Sequence, residues 1–535
     1  MKKSLAILML IILIGGVVRF WSLSDNHIGF FRDEAALGLN AWSIYKTGAD
    51  EYGQKFPIVF RSFEVFFMPL YVYLSVPIMA IFGLSEFSTR FLSTASGVLL
   101  IFLAYLIAKQ IFSSERVAIL SAIVVAFSPW AIFYSRGAFE GNLALLFFTT
   151  GFYFWLRFEN KGKIQDFSIS LIIFVLSMYS YQAPRLVVPI FLILAVLSHR
   201  GWTKKWKIWT YGIVLASVLY LPIALLSLTP AGYHRAIGVS IFSNSQGLPG
   251  FSKDLGQWQN LYIIPREIAS LFLHYFSPYN LFQEADYNKQ RIIEGFSAFY
   301  IWQLPILVLG LWTFFKGKYN KKTFLIWLLI APIPASLTLD PFHTYRALLL
   351  FVPLCILIGL GFENLLKINR ISLKIIITIF VIAWSVSVTY FLFSFFIQTP
   401  VFRWKEWDFG YRQIAEFIKT QPNNLQILID DPNTESYIHL LFYQALPLTD
   451  YQKASEDFPK GFYYNSVTKL RPQKIGRLEI RKVDWSKERG NKNTLFIFSS
   501  AHMFPSEFSG DPKLKLEKTI TAPSGEAAFY IIRSI

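Results

Sequence analysis

Long apolar runs recur along this chain and restrict what it can fold into. The first run, from Leu5 to Trp21, is long enough for one helical crossing of a bilayer, which takes about 17–25 residues. Only 16% of the residues are charged, whereas a soluble protein would carry about a quarter. The chain is therefore predicted to be a mainly α-helical, polytopic membrane protein whose first span is not cleaved.

The charge of the loops predicts the topology. About eleven apolar segments can cross the bilayer, at residues 4–22, 91–110, 116–134, 142–158, 166–181, 185–198, 208–228, 300–315, 323–339, 346–363 and 373–397. The basic loops are expected in the cytoplasm, and they lie at 161–163, 199–207, 316–322 and 367–374. This alternation predicts a multi-pass protein of the plasma membrane, with a cytoplasmic amino terminus and an extracytoplasmic carboxyl end.

Residues 68–83 are apolar but short, and Pro77 interrupts them. If they crossed the bilayer, the alternation of basic loops would invert from that point onward. We therefore expect an interfacial helix in the first outer loop. Asp33 and Glu34 are then expected on the same side of the membrane as residues 135–142.

The formal net charge of +17 suggests a nucleic-acid partner at first sight. However, the Lys and Arg residues gather in short loops, which favours contact with anionic membrane lipid. No nucleic-acid partner is therefore expected. The chain has one cysteine, Cys355, which rules out an intramolecular disulfide framework.

The tail follows a different pattern from the rest of the chain. Residues 425–429 and 494–498 are typical of strands, whereas 408–419 and 434–445 are typical of helices. We expect a transmembrane domain over residues 1–400 and a small extracytoplasmic α/β domain over 401–535. A second segment outside the lipid is expected at 229–299.

Arg32-Asp33-Glu34 is the most informative polar stretch, because it lies about ten residues past the end of the first span, just outside the membrane. Two adjacent carboxylates at a membrane surface indicate a functional site. The alternative is a solvated helix cap. Asp50-Glu51 is a second acidic pair, and its glycine-flanked setting favours a solvated turn.

Further polar groups are expected at the outer ends of the spans. They are Arg136 and Glu140, Arg185, Asp286 and Arg291, and finally His343 and Arg346. A single arginine there can simply reach lipid headgroups, and a lone histidine is usually structural. Several arginines beside carboxylates are typical of a site that holds an anionic phosphate while a carboxylate takes a proton.

Metal binding stays open at this point. A divalent ion held by Asp33, Glu34 or Glu140 is consistent with the affinity of hard cations for carboxylate oxygens. The histidines do not have the spacing of a zinc site. No cofactor is predicted with certainty.

The order of several short motifs resembles the GT-C glycosyltransferase superfamily, specifically bacterial proteins similar to protein O-mannosyltransferases and to the lipid A aminoarabinose transferase. The resemblance runs through most of the first 400 residues. The motifs are Phe31-Arg32-Asp33-Glu34-Ala35, Pro69-Leu70-Tyr71, Phe82-Gly83-Leu84-Ser85-Glu86-Phe87 with Arg90, Ser128-Pro129-Trp130 with Ser135-Arg136, Phe139-Glu140 with Asn142, and Tyr275-Phe276-Ser277-Pro278.

This resemblance implies an enzyme that moves a sugar from a polyprenyl-phosphate-linked donor to a hydroxyl of a glycan, lipid or protein acceptor, on the outer face. It implies Asp33 as the general base, with Glu34 and Glu140 assisting or binding a metal. Relatives often carry a donor-binding lysine just before the proline that matches Pro69, but here Phe67-Met68 precedes it. The phosphate contact is then expected from Arg61, Arg136, Arg185 or Arg346.

Two other classes of protein remain as alternatives. The main one is a transporter or flippase for lipid-linked sugars, without transferase chemistry. Transporters tend to place charges near the midplane and often have internal repeats, whereas these charges lie at outer ends and no repeat is evident. The other alternative is a non-catalytic receptor whose tail is the working part.

Overall fold

The computed structural model describes residues 2–25, 29–63, 65–199, 205–243, 257–284, 286–319, 321–367, 373–459, 461–466 and 470–535. Most of them are helical. The α-helices are α1 (Lys2–Phe20), α2 (Arg32–Thr47), α3 (Pro69–Phe82), α4 (Glu86–Phe112), α5 (Glu115–Phe127), α6 (Pro129–Arg136), α7 (Glu140–Lys161), α8 (Ile164–Ser180), α9 (Pro184–Ser198), α10 (Trp206–Leu226), α11 (Pro230–Val239), α12 (Gln257–His274), α13 (Pro278–Phe282), α14 (Leu304–Lys316), α15 (Lys322–Ile330), α16 (Ile333–Ser336), α17 (Phe351–Leu365), α18 (Leu373–Phe393), α19 (Thr399–Arg403), α20 (Tyr411–Lys419), α21 (Tyr437–Phe442), α22 (Leu448–Ser455), α23 (Phe462–Asn465) and α24 (Trp485–Glu488). The strands are β1 (Phe60–Ser62), β2 (Val65–Phe67), β3 (Gln426–Asp430), β4 (Lys474–Ile475), β5 (Leu478–Arg481), β6 (Thr494–Ser499), β7 (Leu514–Thr521) and β8 (Ala527–Ser534).

The helices support a multi-pass membrane protein, but they do not confirm the count of eleven spans. Among the described residues, five helices are long and apolar enough to cross, and a bent pair, α5 with α6 at 54°, would make six. The five are Lys3–Phe20, Glu86–Phe112, Trp206–Leu226, Leu348–Leu365 and Lys374–Trp407. Other predicted spans fall in apolar helices of 10–17 residues, such as α8 and α9. A straight helix of that length is shorter than the hydrocarbon layer, which is about 30 Å thick.

Contacts between residues divide the chain into two compact units. The first unit comprises Met1–Leu23, Met68–Tyr71 and Arg90–Ser394. The second comprises Ser24–Phe67, Val72–Thr89 and Phe395–Ile535. The tail therefore packs with most of the first outer loop, including α2 and the β1–β2 hairpin.

Close helix packing builds the first unit. A Cβ on Gly310 of α14 would lie 2.0 Å from the carbonyl oxygen of Leu357, and one on Gly361 of α17 would lie 2.0 Å from that of Ile306. Only glycine allows the backbones of α14 and α17 to approach this closely, as is common between membrane helices. By contrast, α10 and α18 leave most of their apolar side chains exposed, as helices facing lipid do.

A six-stranded sheet forms the core of the second unit, with strand order β4-β5-β3-β6-β8-β7. β3 runs parallel to both β5 and β6, and the remaining pairs are antiparallel. The short apolar runs of β3 and β6 are almost completely buried, as central strands of a parallel sheet are. The α/β tail expected from the sequence is thus present, with strands at the two predicted places and helices α20 and α21 within the predicted ranges.

Two expectations need qualification. The segment 229–299 contains the helices α11, α12 and α13, although no helix was predicted there. The predicted cytoplasmic loops at 199–207, 316–322 and 367–374 lie partly outside the described residues.

Candidate functional site

The first turn of α2 carries the acidic motif at the centre of the sequence hypothesis. Asp33 and Glu34 lie where the helix dipole favours negative charge. Glu34 is buried, and its Oε2 accepts a hydrogen bond from the backbone N–H of Phe31 at 3.3 Å. Asp33 is only half-buried. Glu34 therefore caps the helix, and Asp33 is the more exposed carboxylate of the two.

Arg32 is fixed by the C-terminal segment of the second unit. Its backbone N–H donates to Asp408 Oδ2 at 2.9 Å, and its Nε lies 3.3 Å from the same oxygen. A second ion pair joins Arg32 to Glu435. Burial raises the pKa of the Asp408 carboxyl, but the neighbouring His439 and the charge of Arg32 together hold it below its usual value. Asp408 is therefore a charged anchor for the residue directly before Asp33.

The second acidic pair, Asp50-Glu51, follows the other end of α2. The prediction that it is solvated is wrong, because both side chains are fully buried. The turn itself is present, since Asp50 Oδ1 accepts hydrogen bonds from the backbone N–H groups of Tyr52 and Gln54 at 3.0 and 2.8 Å. Burial raises the pKa of Asp50 to about 7 and that of Glu51 to about 8.

Glu51 joins α2 to α21. Its Oε1 accepts a hydrogen bond from the hydroxyl of Tyr437 at 2.7 Å, and its Oε2 accepts one from Asn40 Nδ2 at 3.1 Å. The backbone N–H of Glu51 donates to Asn40 Oδ1 at 3.0 Å. In addition, Gln452 Nε2 donates to the carbonyl of Asp50 at 2.7 Å. The helix that carries the acidic motif is thus held at both ends by residues of the tail.

Arg61, a candidate for the donor phosphate, lies in β1 and is 1% exposed. Its Nη1 donates to the carbonyls of Phe462 and Ser466 at 2.9 and 2.6 Å. Its guanidinium carbon also lies 3.7 Å from the centre of the Phe462 ring. These contacts tie the hairpin to the C-terminal segment and occupy the guanidinium within the fold.

In the first unit, Glu140 and Arg185 come together at the starts of two helices. Glu140 begins α7, Arg185 lies in the first turn of α9, and their charges interact. Arg185 Nη2 lies 2.8 Å from Met68 Sδ. Met68 stands just before Pro69, where the family resemblance would place a lysine. Arg185 therefore supplies a cation beside that position.

Tyr345 joins three of the predicted outer segments of the first unit. Its hydroxyl accepts a hydrogen bond from the backbone N–H of Gly141 at 2.8 Å. Its ring stacks on Tyr134 with centroids 5.3 Å apart, and it packs against Tyr181 at 4.8 Å. The segments around residues 134–141, 181–185 and 340–346 thus share one cluster.

Asp286 and Arg291 form a buried ion pair in the same unit, with Arg291 Nη2 at 3.0 Å from Asp286 Oδ1. Asp286 Oδ2 accepts a hydrogen bond from the backbone N–H of Thr344 at 2.7 Å. The hydroxyls of Thr344 and Tyr134 are 2.6 Å apart. This pair therefore orients the loop that carries Tyr345.

Arg346 and His343 lie in that loop and contact each other. Arg346 Nη1 lies 2.6 Å from Asp340 Oδ2 and donates to Thr338 Oγ1 at 2.8 Å. The backbone N–H of Arg346 donates to His343 Nδ1 at 3.2 Å. Both side chains are thus engaged within their own loop.

Arg136 contacts the end of α1. Its Nη1 donates to the carbonyls of Val18 and Arg19 at 2.9 and 3.0 Å. A cation that binds the last carbonyls of a helix stabilises its negative end.

The first unit thus brings together most of the predicted outer residues, whereas Asp33, Glu34 and Arg61 belong to the second unit. Sequence reasoning missed Asp408 and His439, which lie beside the acidic motif. One signal was present, since His439 interrupts the otherwise apolar and aromatic run Tyr437–Phe442. Among the described residues, no group of three or more His, Cys, Asp or Glu side chains is arranged to hold a metal ion.

An apolar cavity of about 520 Å³ opens between α8, α9 and α10 of the first unit. Its walls include Leu171, Val188 and Ile213. Tyr220 also lines it and lies within electrostatic range of Arg185. An apolar cavity and a cation are therefore neighbours in this unit.

Comparison with known proteins agrees with the sequence resemblance. The family model described as dolichyl-phosphate-mannose-protein mannosyltransferase matches residues 68–225. A search of curated proteins found no significant match.

Solved structures extend the likeness to the whole chain. ArnT from Cupriavidus metallidurans bound to undecaprenyl phosphate is 13% identical, with a TM-score of 0.57 over 98% of this chain and 97% of that one. The apo form of the same protein aligns with a TM-score of 0.54, over the same fractions of both chains. A third similar structure is the oligosaccharyltransferase AglB from Archaeoglobus fulgidus, in complex with an inhibitory peptide and a dolichol-phosphate. It is 13% identical and aligns with a TM-score of 0.51, over 82% of this chain and 64% of that one.

These comparisons show the fold: the chain has the fold of the GT-C glycosyltransferases, and the predicted resemblance is confirmed. Within that class, it is similar to ArnT and to the protein mannosyltransferases.

Proposed function

We propose that this protein transfers a sugar from a polyprenyl-phosphate-linked donor to an acceptor hydroxyl on the extracytoplasmic face of the membrane. The main support is the likeness over almost the whole chain to a structure that contains undecaprenyl phosphate. The Asp33-Glu34 pair at the start of α2 adds a carboxylate that is suited to base catalysis.

Asp33 is the general base in this proposal. Glu34 is occupied as a helix cap, and Asp33 is the more exposed of the two. The ion pairs of Arg32 with Asp408 and Glu435 hold the start of α2 in place. A fixed carboxylate loses little free energy in reaching the geometry of proton transfer.

Arg185 is the residue that we assign to the donor phosphate. The contacts of Arg61 and Arg136 are with backbone carbonyls, and Arg346 is paired with Asp340. Arg185 lies beside Met68, at the position where relatives carry a lysine. A guanidinium binds phosphate oxygens in a bidentate manner. The negative charge of Glu140 favours the charged form of Arg185.

The reaction is then a single displacement. The acceptor oxygen attacks the anomeric carbon while its proton passes to the Asp33 carboxylate. The bond between that carbon and the phosphate oxygen breaks, and polyprenyl phosphate leaves as an anion that Arg185 neutralises. A single displacement inverts the anomeric centre, because no carboxylate nucleophile forms a sugar–enzyme intermediate.

The isoprenoid chain of the donor is proposed to lie in the apolar cavity between α8, α9 and α10. A polyprenyl chain needs a long apolar site, and this cavity has almost no polar wall. Its position near Arg185 fits a ligand with a phosphate at one end.

The proposed topology places α2, α3 and the tail outside and the amino terminus inside. Single cysteines at Ser85 and Ser113, in a Cys355→Ser background, test it by labelling from either side of sealed vesicles. Ser85→Cys should react only from outside and Ser113→Cys only from the cytoplasmic side. Labelling of Ser85→Cys from the cytoplasmic side alone would contradict the topology.

A purified-protein assay separates the candidate functions. The protein is placed in sealed vesicles with a polyprenyl-phosphate sugar that is labelled in the sugar and in the phosphate. Release of polyprenyl phosphate together with sugar on an acceptor identifies a transferase. Movement of intact donor between leaflets identifies a flippase. If neither sugar transfer nor donor movement is observed, the protein is a receptor. Either of these last two outcomes would overturn the proposal.

A further inference from the structure

A second cavity, of about 300 Å³, lies in the second unit beside the start of α2. Its walls come from several separate chain segments. They include Phe30, Glu86 at the start of α4, residues 408–413, and both His439 and Tyr443 at the end of α21. Unlike the cavity of the first unit, it is lined by charged side chains as well as aromatic ones.

His439 is the residue that indicates a ligand. It is 1% exposed, and neither of its ring nitrogens has a hydrogen-bond partner among the described residues. Its Nε2 lies 3.6 Å from Asp408 Oδ2, which is too far for a good hydrogen bond. A buried imidazole without partners costs free energy, so a partner that binds in the cavity explains why it is tolerated.

The other polar groups of the cavity define what that partner must offer. The Oε1 of buried Glu86 accepts a hydrogen bond from the hydroxyl of Tyr443 at 2.6 Å. The carboxylates of Glu86 and Asp408 accept hydrogen bonds, whereas the ring nitrogens of His439 add at least one donor. The ligand must therefore donate several hydrogen bonds and accept one, as a set of hydroxyl groups does.

Charge and ring geometry narrow the ligand further. Arg32 pairs with Asp408, and Arg412 lies 3.9 Å from Glu86, so both carboxylates already have a cation nearby. The ring of Tyr411 stacks on His439 with centroids 4.7 Å apart and an interplanar angle of 6°. These features suit a neutral ligand with hydroxyl groups and an apolar face, which describes a sugar ring.

We propose that this cavity binds a saccharide ring of the acceptor, through Asp408, Glu86 and His439. The inference rests on the proposed function, because it treats the ligand as the acceptor of the transferred sugar. Asp408 also binds the backbone of Arg32, the residue before Asp33. A saccharide in this cavity is therefore close to the proposed general base.

The test compares two His→Leu variants of the full-length protein in nanodiscs. His439→Leu removes the buried unpaired imidazole, and His502→Leu is the matched control, since His502 is half-exposed and contacts Asp430 in another part of the tail. The probes are methyl glycosides of hexoses and pentoses, and binding is measured by saturation-transfer NMR. Thermal unfolding is measured in parallel.

We expect at least one glycoside to bind the wild type and the His502→Leu variant equally. His439→Leu should weaken that binding about tenfold or more, which corresponds to the loss of one or two hydrogen bonds. Its thermal stability should stay close to that of the wild type, because the lost interaction with Asp408 and the removal of the unpaired ring nitrogens act in opposite directions. In the transferase assay, the KM for the acceptor should rise by a similar factor while the KM for the donor stays the same.

Equal glycoside binding by the wild type and His439→Leu would overturn the inference, as would no glycoside binding by the wild type. Normal sugar transfer to a peptide or lipid by His439→Leu would also overturn it and would leave the proposed function intact. Conversely, His439-dependent glycoside binding without any donor turnover would support a saccharide site and would contradict the proposed function.

Discussion

The two acidic pairs at the ends of α2 look alike in the sequence but differ in the structure. Asp33-Glu34 lies in the first turn of the helix, where Asp33 is half-buried. Asp50-Glu51 follows the helix and is completely buried, so that the pKa values of its carboxyls rise to about 7 and 8. One pair is therefore suited to meet a substrate, whereas the other connects the outer loop to the tail.

This difference shows that adjacent carboxylates do not define a catalytic site by themselves. The glycines around Asp50-Glu51 correctly indicated a turn, but only the tertiary contacts of Tyr437 and Gln452 show that the turn is covered. Conversely, the burial of Glu34 leaves Asp33, which is half-buried, as the more accessible carboxylate of the proposed catalytic pair. The following predictions test this division of roles.

The largest effect is expected at Asp33. Asp33→Asn removes the proposed base and should lower sugar transfer by about 10²–10⁴-fold, with expression and donor binding unchanged. Asp50→Asn is the matched control, because an amide resembles the neutral form that burial favours at Asp50. It should retain near-normal turnover. Full turnover by Asp33→Asn would remove Asp33 from the mechanism.

A second contrast concerns two arginines, one in each unit. Arg185→Ala should raise the KM for the donor by about 10–100-fold, because a charge-assisted hydrogen bond to phosphate is lost. Arg185→Lys should recover part of this affinity. Arg61→Lys should instead lower thermal stability while leaving the donor KM unchanged, since Arg61 binds backbone carbonyls. A normal donor KM in Arg185→Ala would refute the assignment.

The buried pair should make stability depend on pH. The unfolded chain releases these protons near pH 4, whereas the folded chain keeps them until about pH 7 for Asp50 and about pH 8 for Glu51. The free energy of unfolding should therefore fall as pH rises from 5 to 7, by up to about 1.4 kcal/mol per pH unit for each group.

Glu51→Gln should show a weaker fall of unfolding free energy with pH, because the contribution of Glu51 is removed. It should also be more stable than the wild type at pH 8. Denaturant unfolding in detergent, followed by tryptophan fluorescence, measures both slopes. Parallel curves for the two proteins would show that Glu51 does not keep its proton in the folded chain.

The smallest effect is expected at Tyr437. Tyr437→Phe removes the hydroxyl that donates to Glu51 Oε1 and should cost about 0.5–1.5 kcal/mol of unfolding free energy. Tyr530→Phe, in β8 of the same unit, serves as the control and should cost less. Equal losses in both variants would mean that the contact with Glu51 does not stabilise the second unit.

Local pattern predicted much of this fold. The apolar runs predicted the helices of the first unit, and the short β-branched and aromatic runs predicted β3 and β6. The sequence did not predict that α2 and the tail belong to one unit. Their packing depends on contacts between distant residues, such as that between Glu51 and Tyr437, which are more than 380 residues apart. Likewise, the aromatic cluster around Tyr345 depends on loops that are distant in sequence.

Charge and position along the chain are enough to select candidate site residues from the sequence. The sequence predicted Glu140, Arg185, Asp286 and Arg346 as candidates, but it could not rank the arginines. Their ranking depends on which guanidinium is already bound to carbonyls or carboxylates in the folded chain. Asp408 and His439 were missed because nothing in the local pattern relates them to Asp33.

The central claim is that Asp33 accepts the proton of the acceptor hydroxyl. The most direct test is a structure of the full-length protein with a non-hydrolysable polyprenyl-phosphonate sugar and an acceptor. We expect an Asp33 carboxylate oxygen about 2.6–3.2 Å from the acceptor hydroxyl. An acceptor hydroxyl that lies beyond the reach of Asp33, even through one water molecule, would contradict the claim.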